Sequence, residues 1–477
     1  MRTPRPTPKD AVMRALPPIW PDCSLRQRIA DHLAQTHRCI VVLDDDPTGG
    51  QTVHGVWELA RWRIDDLRVA LARGEPAFYI LTNSRSMPLA QAQALNREVA
   101  TNLALAASAE GRPITVVSRS DSTLRGHYPG EVEALAEALA QVQGAPFDGL
   151  CIIPFFPEGG RFTIHGVHWV QEGDRLIPAA QTPYARDAAF GYRHSHLADW
   201  VEEKTAGRVP ASQVLNIPLD MLRCVGPAAV AKCVWQAKSG RVIVVNAAHY
   251  RDLEVFVCGL LQAEAAGKRF LFRTAASFVK VAAGIPDRAA LTAQELVGMR
   301  PSAGALLVFG SHVPKSTAQL AAVQALSGVV CVELPVAQVL DKATRELTIA
   351  RVTAQIDAAL TSKRDALLFT SRELIQGNDT AASLSIGQSV SSALVEVVRR
   401  LQREPRYVLG KGGITASDLA TKGMGVRAAR VLGQILAGVP VWALGPQSRW
   451  PGMPYIVFPG NVGQEDSVAR IVGLLRG

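Results

Sequence analysis

The sequence predicts an α/β protein of two domains, each with a mainly parallel sheet flanked by helices, and a site in the cleft between them. Short apolar runs alternate with longer stretches of helical periodicity, a pattern typical of parallel sheets. The 477 residues exceed what one hydrophobic core usually serves, so two domains are expected. Because 48% of the residues are apolar and only 19% are charged, a packed globular protein is indicated.

The N-terminal segment, residues 1–38, is predicted to be a loose proline-rich arm followed by a first helix. This helix covers residues 24–35, with Ser24 as its N-cap, because a serine hydroxyl there can accept a bond from a backbone N–H. The arm has basic residues but no apolar core, so we do not expect a signal peptide.

The first domain is predicted over residues 39–275. Helical patterns separate its early strands, which should therefore run parallel, and ligands of such sheets bind beyond the carboxyl ends of the strands. The predicted strands lie at residues 39–44, 77–84, 114–121, 150–155 and 241–248.

Polar residues follow each early strand of this domain. Asp44, Asp45 and Asp46 follow the first strand, Arg85 the second and Arg119 the third. Adjacent carboxylates repel each other unless something cationic shares their site, so this convergence indicates a functional site. The alternative is an acidic turn that caps a helix.

The loop between the third strand and the next helix is the densest polar cluster. Its residues are Arg119, Ser120, Asp121, Ser122 and Thr123. Hydroxyls and backbone N–H groups at a helix start bind anions, and arginine binds carboxylates in a bidentate way. We therefore expect a pocket for an acid that carries hydroxyl groups. A capped helix with surface ion pairs is the alternative.

The turn FPEGGRFTIHGVHWV at residues 156–170 could bring Arg161 to the same pocket. Turn residues at its start are followed by an alternating, strand-like pattern. A structural hairpin with a packed tryptophan explains this pattern equally well, so both interpretations stay open.

The second domain is predicted over residues 276–477, where glycines and hydroxyls follow the strands instead of carboxylates. Glycine lets the backbone approach a phosphate closely, so three glycine turns predict a nucleotide site, with ordinary turns as the alternative. None of the turns has the Walker order of residues. The strands are expected at 305–311, 329–334, 365–371, 406–413, 440–444 and 455–460. The turn residues are Gly310, Ser311, Gly410, Gly412, Gly413, Thr415, Gly460, Asn461 and Gly463.

Charge and cysteine content restrict the class of protein. The net charge is +9, but no basic run with interleaved aromatic residues occurs, so we expect anionic small-molecule substrates and no nucleic acid. The seven cysteines show no CxxC pair, which favours free thiols in a reducing cytoplasm.

No apolar run is long enough to span a membrane, so no membrane partner is expected. A homodimer is compatible with the sequence.

Taken together, these motifs resemble the four-carbon acid sugar kinases, formerly a family of unknown function. The family's DDxTG sequence is matched at 45–49, its DST-L-R-G motif at 121–126 and its FPxxGR turn at 156–161. In the second half, the GS motif falls on 310–311, the GGxT motif on 412–415 and the last glycine turn on 460–463. The chain departs from the usual pattern at Pro47, Arg119 and Ile414.

The resemblance implies an N-terminal domain that binds the sugar acid and a C-terminal domain that binds ATP. It also implies phosphoryl transfer, with Mg²⁺ on the nucleotide, to a hydroxyl of erythronate, threonate or 3-oxo-tetronate. Asp45 is the expected general base and Asp121 the second choice. The expected substrate-binding residues are Asp46, Arg85, Arg119, Ser120, Ser122, Thr123 and Arg161. The expected ATP-binding residues are Ser311, Gly410, Gly412, Gly413, Thr415, Gly460, Asn461 and Gly463.

Two alternatives of other classes stay open. Asp44, Asp46 and Thr48 fit the DxDxT spacing of haloacid-dehalogenase-type phosphatases, but that mechanism needs a lysine, and none occurs between Lys9 and Lys204. The other alternative is a non-catalytic sensor that binds sugar acid and nucleotide. Ile414 favours it, because an acidic residue is usual at this position.

Overall fold

The computed structural model describes residues 4–298, 303–310, 314–373, 375, 380–460 and 462–476. The chain forms two compact units. The first consists of Met1–Asp45 and Arg61–Asp287, and the second of Asp46–Ala60 and Arg288–Gly477.

The first unit contains a sheet of seven parallel strands, in the order β10-β11-β6-β12-β5-β2-β4. Most residues of these strands are buried, because helices cover both faces of a parallel sheet. The strands are β2 (Cys39–Asp44), β4 (Ala77–Leu81), β5 (Ile114–Arg119), β6 (Gly149–Ile153), β10 (Leu215–Ile217), β11 (Arg241–Val245) and β12 (Phe270–Thr274).

A second, four-stranded sheet in this unit is antiparallel and has the order β1-β9-β8-β7. Its strands are β1 (Thr7–Pro8), β7 (Arg161–Ile164), β8 (Val167–Glu172) and β9 (Arg175–Pro178). The turn predicted at 156–170 thus forms a hairpin in which Trp169 is buried, and Arg161 at its start is buried as well.

Nine α-helices of the first unit lie within the described residues. They are α1 (Lys9–Arg14), α2 (Leu25–Thr36), α3 (Ile64–Ala72), α4 (Leu89–Ala109), α5 (Gly130–Gln143), α6 (Leu197–Lys204), α7 (Pro227–Val234), α8 (Tyr250–Ala265) and α9 (Ala276–Ala282). The predicted cap of the first helix is not formed. Ser24 has helical backbone angles, and its hydroxyl donates to Asp22 Oδ1 at 2.7 Å instead of accepting from the helix.

Within its described residues, the second unit contains eight strands, in the order β3-β17-β18-β19-β16-β13-β15-β14. The last five strands of that order are parallel, and the first three extend the sheet with antiparallel pairs. The strands are β3 (Val56–Leu59), β13 (Leu306–Phe309), β14 (Val329–Leu334), β15 (Asp365–Thr370), β16 (Val408–Lys411), β17 (Ala428–Leu436), β18 (Val439–Leu444) and β19 (Pro454–Phe458).

The helices of the second unit flank this sheet, and the core forms where apolar strand residues meet the apolar face of the last helix. Leu307, Leu409 and Ile456 of the strands belong to the same core as Ile471 and Leu475. The helices are α10 (Ala293–Val297), α11 (Pro314–Gln324), α12 (Val336–Leu340), α13 (Arg345–Thr361), α14 (Thr380–Arg400), α15 (Gly413–Asp418) and α16 (Ser467–Arg476).

Both units confirm the predicted α/β class with largely parallel sheets. The segment Asp46–Ala60, which the sequence placed in the first domain, groups with the second unit because β3 pairs with β17. No helix within the described ranges is long and apolar enough to cross a membrane.

Candidate active site

The carboxyl end of β2 carries the first acidic residue, Asp44. Its side chain is fully buried and accepts a hydrogen bond of 2.9 Å from Arg119 Nη1, at the end of the neighbouring strand β5. Both partners are less than 5% exposed. The parallel register of β2 and β5 brings the two side chains together, so the buried carboxylate has its counter-ion.

Asp45 follows directly and is held by Arg85. The guanidinium donates from Nε to Asp45 Oδ2 at 2.9 Å and from Nη2 to Oδ1, so the contact is bidentate. Arg119 Nη1 lies 3.7 Å from Asp45 Oδ1. Two arginines therefore balance two adjacent buried carboxylates, which explains how the first unit tolerates them.

Asp121 accepts hydrogen bonds from Arg125 Nε, at 2.7 Å, and from the hydroxyl of Thr123. Burial alone would raise the pKa of this carboxyl, but Arg125, Arg85 and the two hydrogen bonds hold the pKa well below its usual range. A carboxylate with so low a pKa is a weak base, so its geometry suits the orientation of Arg125 better than proton transfer.

The side chains of His168 and Tyr192 hold the loop that contains Ser122 and Thr123. His168 Nε2 lies 2.7 Å from the Ser122 carbonyl oxygen, and the Tyr192 hydroxyl donates to the Thr123 carbonyl at 2.7 Å. Leu124 in this loop has a φ of 70°, which is uncommon for a residue other than glycine. The loop therefore keeps an unfavourable backbone conformation through contacts from outside it.

Burial lowers the pKa of His168 to about 4, so the ring is neutral near pH 7. A neutral ring has one N–H. If Nε2 donates it to the carbonyl of Ser122, then Nδ1 accepts from the hydroxyl of Thr163, which lies 3.1 Å away. Both ring nitrogens are then satisfied, and the ring orientation is fixed.

Several polar groups in the first unit are buried without a hydrogen-bond partner among the described residues. Three of them are Ser120 Oγ, Thr274 Oγ1 and Arg161 Nε. Ser120 N donates to the Thr274 carbonyl at 2.9 Å, so these two hydroxyl-bearing residues are neighbours at the carboxyl ends of β5 and β12. Unpaired buried polar groups are costly, and a ligand that pairs with them would remove that cost.

Arg273, near the end of β12, is a candidate that the sequence analysis missed. Its Nη2 donates to the Arg125 carbonyl at 3.1 Å, and its guanidinium lies 5.3 and 5.2 Å from the ring centroids of Tyr128 and Trp200. Burial lowers the pKa of Arg273, an effect that the charge of Asp45 opposes. The strand FLFRT was not recognised in the sequence; recognising it would have placed an arginine at the same sheet edge as Arg119.

Glu131 is a second missed residue, in the first turn of α5. Burial, and then the charge of Asp45, raise the pKa of Glu131. Asn96 Nδ2 donates to Glu131 Oε1 at 3.2 Å. The first unit thus contains two acidic groups in different environments. Asp45 is a carboxylate held by arginine, whereas the surroundings of Glu131 favour its protonated form.

In the second unit, Asp46 lies against the glycine turn before α15. Its Oδ1 accepts from Thr48 N at 2.9 Å and from the Thr48 hydroxyl. A Cβ added to Gly413 would lie 3.5 Å from Asp46 Oδ2. The sequence predicts Asp46 in the sugar-acid pocket; in the structure Asp46 groups with the second unit, where Thr48 and the predicted nucleotide-site residue Gly413 lie against it.

The glycines of the second unit allow close backbone packing at the ends of β16 and β19. Gly412 has a φ of 104° and donates its N–H to the Phe458 carbonyl at 2.9 Å. A Cβ at Gly410 would collide with the Tyr455 hydroxyl, and Gly310 packs in the same way against Thr415. A Cβ at Gly460 would meet nothing within 4 Å, and Gly463 has a φ of 82°. Ser311 and Asn461, two predicted ATP-binding residues, lie outside the described residues.

Lys411, at the end of β16, was also missed. Its side chain is fully buried, and Nζ donates to the carbonyls of Pro459 and Gly460 at 2.6 and 3.3 Å. Burial, and then the charge of Lys315, lower the pKa of Lys411 to about 7. Lys411 thus connects two glycine turns. The LGKGG sequence was the available signal, but only its glycines were interpreted.

Comparison with known proteins gives two family matches that follow the division of the chain. Residues 40–282 match the family model of a sugar-binding N-terminal domain, and residues 306–468 match that of a nucleotide-binding C-terminal domain. A D-erythronate kinase of Heliobacterium modesticaldum is 28% identical over 152 residues. This match spans 31% of the chain and 31% of that relative.

Solved structures with the same fold cover nearly the whole chain. A Salmonella typhimurium LT2 protein, provisionally described as a tRNA synthase, has a TM-score of 0.65 at 18% identity, over 91% of this chain and 98% of that one. A Haemophilus influenzae protein of the DUF1537 family has a TM-score of 0.60 at 17% identity, over 91% of this chain and 100% of that one. Such low identities show the fold alone. With the two domain matches, the chain belongs to the four-carbon acid sugar kinase family.

Proposed function

We propose that the protein is an ATP-dependent kinase that phosphorylates a hydroxyl of a four-carbon sugar acid of the erythronate, threonate or 3-oxo-tetronate type. The observation that carries this proposal is a set of buried polar atoms without a hydrogen-bond partner within the described part of the first unit, namely Ser120 Oγ, Thr274 Oγ1 and Arg161 Nε. Arg161 Nη1 donates to the Gly159 carbonyl, which fixes the guanidinium. One guanidinium and two hydroxyls suit an acid that carries hydroxyl groups. The similarity to a D-erythronate kinase supports the same substrate class.

In this proposal, Arg161 binds the substrate carboxylate. Arg85 and Arg119, which the sequence also predicts to bind the substrate, are already paired with Asp45 and Asp44. These pairs instead hold Asp45 in place as the general base, which accepts the proton of the reacting hydroxyl. Ser120 and Thr274 orient the substrate through its other hydroxyls.

The nucleotide phosphates are proposed to bind the backbone N–H groups of the glycine turns in the second unit. The positive φ of Gly412 and the open space at Gly460, where an added Cβ would meet nothing within 4 Å, fit a backbone site for a polyanion. Mg²⁺ fits the oxygen donors present there, and Asp46, which lies against Gly413, would help to hold it. When bound, the ion supplies neutralisation of the charge on the transferring phosphoryl group.

The decisive assay measures ADP release with ATP and Mg²⁺ across a panel of four-carbon sugar acids. We expect release with one acid and none in its absence. Asp45→Asn should lower kcat about 10²–10⁴-fold, the usual contribution of a general base, while ATP still binds. Normal turnover by this variant would refute the role of Asp45, and binding of both ligands without ADP release would favour the sensor alternative.

The phosphatase alternative requires Asp44 as its nucleophile. The Asp44 side chain has no exposed surface and is paired with Arg119, and the lysine that this mechanism needs does not occur between Lys9 and Lys204. The structure of the first unit therefore supports the kinase over the phosphatase.

A further inference from the structure

A basic cavity of about 370 Å³ lies in the second unit. Lys363 and Arg364 directly precede β15, and Arg406 lies two residues before β16, so the cavity lies at the amino ends of these strands. The glycine turns follow the carboxyl ends of β16 and β19. The cavity and the proposed nucleotide site therefore lie at opposite ends of the strands of this sheet.

The cavity carries an excess of positive charge. Four of its lining residues are cations, namely Lys363, Arg364, Arg406 and Arg476, whereas Asp365 is its acidic residue. Arg476 Nε donates to Asp365 Oδ2 at 2.8 Å, and Ala305 N donates to Asp365 Oδ1 at 2.8 Å. The charge of Asp365 is thus satisfied, and three cations remain for a ligand.

Arg406 is the most distinctive residue of the cavity. Its Nε is buried and has no hydrogen-bond partner among the described residues. The backbone of Arg406 is fixed, since its N–H donates to the Gly304 carbonyl at 2.9 Å. A buried guanidinium N–H that is left unpaired is unfavourable, and an anion in the cavity would pair with it.

The rim of the cavity is held in a defined shape. Arg476 Nη1 donates to the Ser327 carbonyl at 2.8 Å, and a Cβ added to the adjacent Gly328 would lie 3.7 Å from Arg476 Nη2. Lys363 has a φ of 58°, in the left-handed region that a lysine rarely adopts. Such outliers persist where the surrounding structure imposes them, and they are frequent at binding sites.

We propose that this cavity binds a small anion that carries a phosphate group, at a site distinct from that of the nucleotide. Its volume lies within the range of small-molecule sites. Arginine forks match the geometry of phosphate oxygens, and Arg406 and Arg364 provide two of them. The ligand is either inorganic phosphate or pyrophosphate, or an organic phosphate.

The test titrates pyrophosphate into the full chain by calorimetry, with the nucleotide site first saturated by a non-hydrolysable ATP analogue. We expect one binding event, weakened at least about tenfold in Arg406→Gln, since a charge-assisted contact is lost. Arg351→Gln is the matched control, because Arg351 is exposed on α13 and does not line the cavity. Equal affinity in these two variants, or no binding by the wild type at millimolar concentration, would overturn the proposal.

A second variant provides an independent test in case Arg406→Gln does not fold. Lys363→Gln combined with Arg364→Gln removes two charges from exposed side chains and should also weaken binding. Inorganic phosphate and a sugar phosphate, titrated in parallel, distinguish the two sources of the ligand. If the ATP analogue does not bind, the proposed function fails, but the comparison of Arg406→Gln with Arg351→Gln still tests the cavity.

Discussion

Adjacent acidic residues at the end of β2 are tolerated because each has a different set of partners. Asp44 is paired with Arg119, Asp45 with Arg85, and Asp46 with Thr48 in the other unit. Removing one partner from such a buried pair costs more than the pair contributes, because it leaves an uncompensated charge. At the residue scale, substitutions that keep the hydrogen bonds are therefore the informative ones.

Arg161→Gln tests the proposed carboxylate contact. We expect the KM for the sugar acid to rise roughly 10–100-fold, because a charge-assisted hydrogen bond contributes about 1.5–3 kcal/mol. kcat should change much less, since Arg161 is proposed to bind substrate and transition state equally. Steady-state kinetics with varied sugar acid measure both constants. Arg63→Gln, at an exposed position of the first unit, is the control, and an unchanged KM in Arg161→Gln would refute the contact.

His168→Gln tests the neutral histidine behind the Ser122 loop. The pKa of His168 is lowered from 6.5 to about 4, so between these pH values the unfolded chain binds a proton that the folded chain does not. The free energy of unfolding should therefore fall as the pH decreases through this window, by up to about 1.4 kcal/mol per pH unit. Urea unfolding at several pH values should show a flatter dependence in His168→Gln.

His165→Gln is the control for that measurement, because His165 is exposed in the same hairpin. Its pH dependence should parallel that of the wild type. If all three curves were parallel, the lowered pKa of His168 would be refuted.

At the scale of elements, strands with continuous apolar sequences were predictable, whereas short or interrupted strands were not. β2 and β14 have the predicted bounds, because a largely apolar run marks each of them. β12 was missed, and Arg273 with it, since a charged residue interrupts its short apolar run. β3 was missed because its assignment depends on pairing with β17, a partner remote in sequence.

Lys411→Gln tests the connection between the ends of β16 and β19. We expect weaker ATP binding, because the turn at Pro459 and Gly460 loses its two hydrogen bonds from Nζ and the site loses a positive charge. The pKa of Lys411 is about 7, so the wild type loses this charge as the pH rises above 7. The difference in ATP affinity between wild type and variant should therefore narrow from pH 6 to pH 8.5.

Equilibrium titration with ATP at each pH measures this difference. Lys342→Gln removes an exposed charge from the same unit and should leave the affinity unchanged. An effect of Lys411→Gln that does not vary with pH would mean that the hydrogen bonds alone hold the turn.

At the scale of the whole molecule, the sequence predicted two α/β units and a different chemistry for each. It did not predict that the chain crosses between them at Asp46 and again near Arg61. That crossing depends on which strand pairs with β3, and short strands carry little information about their partners. The change from acidic and arginine-rich strand ends to glycine-rich ones was visible, because both residue types are local signals.

If the first unit binds the sugar acid and the second binds ATP, as proposed, a substitution should be able to weaken the binding of one ligand without affecting the other. Gly412 has a φ of 104°, where a β-branched side chain is strained and would crowd a phosphate, so Gly412→Val should weaken ATP and spare the sugar acid. Arg161→Gln should do the reverse. Gly425→Val is the control for backbone strain, since Gly425 has a φ of 65° and its added Cβ would meet nothing within 4 Å. Calorimetric titration of each variant with each ligand measures these affinities. ATP binding could not be assigned to the glycine turn if Gly412→Val weakened the binding of both ligands equally. The same would follow if Gly425→Val weakened ATP binding as much as Gly412→Val does.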